Sequence, residues 1–295
     1  MSGTAVATGA QRLSVAQTAQ PDRRRPRVRR NRLVWSGAVL LLILITVAIF
    51  APLIAPKDPL AINPRATLQA PSAEALFGTD RYGRDEFSRV LYGTRNSMLI
   101  AFAAVAISAT IGGVLGLLGG FRGGWSDIFI GRVMDILFSF PALLLAIAVA
   151  AVLTPGARNA VIAIGVVYIP IFARVVRGPT VSEASREYVD AARVAGARDT
   201  RVLLRHVAPN VASPWVIQIS VALSHALLLE AALGYLGLGV QAPEPSWGSL
   251  LKEAADFISE APWLSIFPGL AIMVAVLAFN LLGDGLRDVF DPTTS

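Results

Sequence analysis

Six long apolar runs, separated by short charged stretches, constrain this chain more than any other feature of its sequence. A bilayer core of about 30 Å is crossed by about 20 apolar residues in a helix. The runs at 35–54, 98–118, 136–153, 160–176, 214–236 and 263–282 reach or approach that length. Charged residues make up 16% of the 295, where a soluble domain carries about 25%. The deficit follows the runs, which points to several membrane spans and not to one large apolar core. The expected fold class is an all-α membrane protein with six transmembrane helices. The run at 160–176 is the shortest and holds Pro170, where a kink is expected.

Arginine placement gives the orientation. With the N-terminus inside, segments 1–34, 119–135, 174–212 and 283–295 hold 18 of the 26 Lys and Arg residues. That bias favours an N-in/C-in topology. Residues 1–34 are polar and then arginine-rich, and read as a disordered basic cytoplasmic tail. The run at 35–54 is too long for a cleaved secretory signal and lacks a small-residue cleavage site, so it reads as a retained first span. Residues 55–97 form an external segment with an amphipathic helix over 85–97. Residues 98–292 form a five-helix core. The net charge is +6, but no basic stripe is interleaved with exposed aromatics, so no nucleic-acid partner is expected. There is no cysteine, and hence no thiolate or disulfide chemistry.

The internal segment after the fourth run is the most informative. Ser182 is placed to cap a helix in which Glu183 and Glu187 lie near the positive N-terminal end. Tyr188, Ala191, Ala192 and Ala195 fall at helical spacing and make a small-residue face. Gly196 breaks the helix with positive φ. A second short helix, 199–206, carries Arg201, Arg205 and His206, and Pro209 stops it. Such an element lies across the membrane surface. It is either an ordinary interfacial helix pair or a face on which another protein closes down against the backbone.

The pattern Asp190-Ala191-Ala192, then Gly196 and Pro209, resembles the EAA loop of ABC importer permeases. The likeness extends to Gly78-Thr79-Asp80, Gly83-Arg84-Asp85, Ser88-Arg89, Arg95 and Ser97, to 230–239, and to 280–288. These segments are similar to C-type subunits of the dipeptide, oligopeptide and nickel branch. Asp190 stands where that family usually has Glu, and Ala208 departs from its wording as well. The resemblance implies that 183–209 forms a cytoplasmic coupling-helix loop. Glu187, Tyr188, Asp190, Ala191, Ala192, Gly196, Arg205, His206 and Pro209 are then the residues that meet a cytosolic ATPase. It also implies the partners: a B-type sister permease, one or two ABC ATPase subunits, an extracytoplasmic solute-binding protein and membrane lipid. ATP and Mg would be bound by the ATPases and no cofactor by this chain, a multi-pass protein of the bacterial inner membrane.

The remaining chemistry-bearing residues suggest no catalysis. The GTD and YGRD stretches at 78–85 are turn and cap chemistry, either a structural brace or a contact with a delivering protein. Glu230 is costly inside a span. It lines the substrate path or an interface, or else hydrogen-bonds within the bundle. His225 reads as a satisfied bundle histidine, and His206 and His225 make no metal site by spacing. Gly112, Gly113, Gly116, Gly119 and Gly120 permit close helix packing, and no phosphate-binding motif surrounds them. An intramembrane enzyme would need a second acid or a dyad at the depth of Glu230. A secondary transporter would need ion sites at broken helices and no docking loop.

Overall fold

The computed structural model describes residues 32–290. The Arg-rich stretch of the expected tail, 1–31, and residues 291–295 lie outside them. Among the described residues there is no strand, and one isolated bridge joins Thr79 to Asp85. The helices are α1 (Arg32–Ile54), α2 (Glu86–Arg122), α3 (Gly124–Phe138), α4 (Ala142–Val152), α5 (Ala157–Ala184), α6 (Glu187–Val194), α7 (Asp199–Val202), α8 (Ala212–Tyr235), α9 (Trp247–Ala255) and α10 (Trp263–Phe290). Among the described residues, five helical runs are long and apolar enough to cross a membrane: α1, α2, α5, α10 and the run from α7 through α8.

The expected span at 136–153 is not one helix. The chain turns by 91° between α3 and α4, so this pair makes a sixth span only as a bent one. Pro141 sits at the turn. It has no N–H to donate, and its ring drives the preceding Phe140 out of helical geometry. By contrast, α5 runs on through Pro170 and Pro179, so the kink expected at Pro170 leaves the helix unbroken. Residues 85–97 also differ from expectation. They are not a separate surface helix but the first turns of α2, a single helix of 37 residues. The Asp85 carboxylate caps it by accepting from the Ser88 N–H at 2.9 Å. No proline or left-handed residue interrupts the helix before Gly123.

The bundle is organised by the contact of α2 with α5. Gly112, Gly116 and Gly120 recur every four residues and so share one face of α2. A Cβ added at Gly120 would lie 2.9 Å from the Arg177 carbonyl oxygen, and one added at Gly116 would meet the Ala173 carbonyl. The backbones of the two helices therefore touch, as small-residue spacing predicts. The main apolar core, with Ala104, Ile164, Phe172, Leu227 and Phe279, joins α2, α5, α8 and α10.

A buried charge cluster braces one end. Arg84 Nε donates to Asp80 at 2.6 Å, and Arg84 Nη2 to Glu253 of α9 at 2.6 Å. Arg89, fully buried, reaches Glu253 at 2.9 Å and Asp80 at 3.3 Å. Gly78 and Gly83 take positive φ in the turns that aim these groups. The Asp80 carboxylate accepts from the backbone of Tyr82 at 2.8 Å and of Arg84 at 2.9 Å. Of the two readings of 78–89, this geometry is that of a brace.

Candidate functional site

At the opposite end, the segment between α5 and α8 folds into a compact element on the helix ends. Its apolar side is a cluster of its own. Val189, Val202, Leu203 and Val207 pack on Leu117 of α2 and Val176 of α5. Burying a valine of this kind contributes about 1.5–3 kcal/mol. The alternation along α6 does the sorting. Val189 is buried and Ala192 half-buried, while Glu187, Asp190, Ala191, Val194 and Ala195 are exposed.

Gly196 ends α6 as the sequence requires. It has φ +83°, its N–H bonds to Arg193 O at 2.9 Å, and the Ala197 N–H bonds to Ala192 O at 3.0 Å. This is a Schellman closure, in which a left-handed residue satisfies the last carbonyls of a helix. Ala192 and Ala197, at its two ends, both pack on the apolar cluster.

A polar knot holds the element to the span ends. Glu183, 7% exposed, accepts from the Tyr188 hydroxyl at 2.5 Å and from Asn210 Nδ2 at 2.9 Å, and pairs with Arg186 at 3.0 Å. Asn210 Nδ2 also reaches the His206 carbonyl at 2.8 Å. Burial first, and then the hydrogen bond to Glu183, raises the Tyr188 pKa above its ordinary value, so the hydroxyl remains a donor. The knot thus ties α5, α6 and the start of α8 together.

Several local expectations are corrected. Ser182 caps nothing, because it lies inside α5, and the helix break falls at Ser185–Arg186. Glu183 belongs to the last turn of α5, and it is Glu187 and Asp190 that stand in the first turn of α6. Pro209 does not stop the chain's helical course. A wide turn over Leu203–Val207 and a tight one over Ala208–Val211 carry it into α8. Pro209 sits in the first turn of the tight segment, a position at which its fixed φ is compatible with helix.

Of the sequence-singled residues, Glu187, Tyr188, Asp190, Ala191, Gly196, Arg205 and Pro209 lie on one solvent-facing element, with Ala192 and His206 half-buried on it. Two exposed apolar side chains join them, Val194 at 91% and Leu204 at 69% exposure. Sequence reasoning missed these two, and it missed Glu183 and Asn210 as the holders of the loop. Asp190 pairs with Arg193 at 3.2 Å, and Arg193 lies over the Phe121 ring of α2.

Glu230 stands apart from this element. It is fully buried within the chain's own bundle, so it lines neither an open path nor an exposed interface. The Ser97 and Ser246 hydroxyls are its polar neighbours, although neither is well aligned on the carboxylate. Ser97 Oγ in turn accepts from the Trp247 N–H at 3.1 Å. The glutamate therefore sits where α2, α8 and α9 meet. His225, expected as a satisfied bundle histidine, is exposed on α8.

These features define a class: a polytopic helical membrane subunit that presents one compact, glycine-closed, solvent-facing element at the end of its bundle. The family described as binding-protein-dependent transport system inner membrane component matches residues 112–295. The N-terminal TM domain of oligopeptide transport permease C matches residues 23–71. The dipeptide transport system permease protein DppC of Alkalihalophilus pseudofirmus is 44% identical over 265 residues, 90% of this chain and 87% of that protein. The di/tripeptide transport system permease protein DppC of Pseudomonas aeruginosa is 44% identical over 268 residues, 89% and 88% of the two chains. The glutathione transport system permease protein GsiD of Pectobacterium atrosepticum is 42% identical over 264 residues, 89% and 88%. Among solved structures, the inward-facing MetNI methionine ABC transporter aligns with TM-score 0.58 at 18% identity. It covers 68% of this chain and 96% of that one, a likeness of fold. The chain belongs to the family of binding-protein-dependent transport system inner membrane components. It is a multi-pass inner-membrane permease subunit, a transport component.

Proposed function

We propose that this chain forms one half of the pore of an ATP-driven importer for peptides or related small solutes. In this reading the 183–209 element seats on a cytosolic ATPase. The observation that carries it is the outer face of α6. Val194 and Ala191 stand exposed beside Gly196, on an element whose inner face is already packed and hydrogen-bonded. Exposed apolar residues on an element that also exposes Asp190, Arg198 and Arg205 have the composition of a docking site. The relatives named for dipeptide, di/tripeptide and glutathione transport favour peptides as the solute class.

The remaining parts follow from the same reading. The arginine bias places the α6 end in the cytoplasm, with both termini inside. A sister permease completes the pore, and a solute-binding protein delivers to the α9 end. ATP and Mg are held by the ATPase subunits, whose closure moves the loop. This chain supplies the path and the coupling, and performs no covalent step.

Purification of the tagged full chain from native membranes in mild detergent, with mass spectrometry of what accompanies it, tests this. Recovery of a second permease and ABC ATPases is the expected result. A chain that purifies alone, and takes up labelled dipeptide in liposomes without ATP, would overturn the reading.

A further inference from the structure

α3 is the most loosely held helix of the core. It buries one side chain, Met134. At one end it hangs from Gly123 and Gly124, whose φ values are +63° and +57° and around which an added Cβ would meet nothing within 4 Å. At the other it ends in the 91° turn before α4. Hinges of closing elements are short segments of this kind, able to absorb a large backbone change.

Two ion pairs hold α3 against α5. Arg177 grips Asp127 with both Nε and Nη2, the second at 2.6 Å. Arg174 Nη2 reaches Asp135 at 3.1 Å, and its guanidinium lies 4.2 Å from the Phe138 ring centroid. The two arginines are three apart on α5 and the two aspartates eight apart on α3, so each pair lies along one helix face. Beside them an open cleft of about 360 Å³, lined by Gly116, Ala173, Met134 and these charges, lies between α3, α2 and α5. There is room for α3 to move once the pairs part.

α5 is also the helix that runs into α6: Arg177 stands ten residues before Glu187 on the same chain. We propose that Asp127 and Asp135 are positioning residues that latch α3 to α5, so that movement of the 183–209 element is carried through Arg174 and Arg177 to α3, which swings about its glycine hinge to open or close the path. The coupling half of this inference rests on the function proposed above. The latch itself rests only on the geometry of α3 and α5.

The energetics make the latch separable from the fold. Exposed ion pairs contribute about 0–1 kcal/mol to stability; Arg174 and Asp135 are both 61% exposed, whereas Arg177 is 46% and Asp127 18% exposed, so the second pair is the stronger of the two. Neutralising the aspartates leaves the fold standing while freeing the helix.

The chain has no cysteine, so a pair of introduced cysteines gives the only thiol labels on this subunit, and the same complex with the unsubstituted chain provides the background from its partners. Gly131 on α3 and Gly178 on α5 have open space for a side chain. Spin labels at G131C and G178C, in the full complex with its co-purified subunits, report their separation by pulsed electron resonance. We expect one separation without nucleotide and a shift of about one helical turn, ~5 Å, on trapping with ATP and vanadate. Asp127→Asn with Asp135→Asn should populate the shifted separation without nucleotide, while the complex still unfolds in a single cooperative melting transition. Pairing Asp127→Arg with Arg177→Asp, with Asp135 intact, should restore the resting one. An unshifted separation in the doubly neutralised chain overturns the latch, whatever purifies with it. A shift there, with none on nucleotide trapping in the wild-type complex, overturns the coupling. Absence of ATPases from the preparation would instead count against the function proposed above.

Discussion

The cluster around Arg89 and the knot around Glu183 both join distant parts of the chain, but the first is sealed and the second is open. Arg89, Arg84, Asp80 and Glu86 are buried with the half-buried Glu253 closing over them, and the cluster fixes the start of α2 against α9. Glu183 is also buried, yet Tyr188, Arg186 and Asn210 around it face solvent. A sealed ion cluster resists change, because parting any pair strands a charge without water. An open knot on a glycine-closed helix is internally braced yet exposed to solvent on its outer face. One end of the bundle is built as a closed frame, and the other has the build that the proposed docking role requires.

The largest effect is expected in the frame. Arg89→Leu strips the buried Glu86 of its cation and leaves Asp80 and Glu253 to share Arg84 alone, and should cost about 3–5 kcal/mol, read as a lower melting temperature of the purified complex. An unchanged melting temperature would mean that the two ends do not differ as described. Gly196→Val comes next. Nothing blocks the new side chain, but φ at +83° costs an L-residue about 1–2 kcal/mol, more for a β-branched one. Insertion and abundance should stay near normal while ATP-driven uptake is lost, and robust uptake by this variant would refute the docking role. Tyr188→Phe should have the smallest effect, about 0.5–1.5 kcal/mol. Faster amide exchange confined to 183–210, with global melting unchanged, would locate the knot's contribution. No change in exchange would assign the loop's order to Val189 and Val202 alone.

Much of this was legible from residue types. Gly196 was readable because its place after an alanine-rich turn asks for a left-handed closure. The glycine ladder of α2 was readable because four-residue spacing puts small residues on one face. The 91° turn carried a signal in Pro141 that hydropathy alone passed over, since apolar content continued across it. Ser182 and Pro209 misled for a related reason. A capping residue or a proline states what the backbone there tolerates, and neighbouring helices decide whether the chain uses it.

What the sequence determined by itself is local and periodic: apolar spans, the glycine that closes α6, the capped start of α2, and the family to which these motifs belong. What only the tertiary structure decided is pairwise and distant. Arg84 meets Glu253 across 169 residues, Arg177 meets Asp127 across 50, and Glu183 meets Asn210 across 27. Propensity and periodicity act over one or two helical turns, whereas a charge chooses its partner only after packing has removed the water that would otherwise serve it.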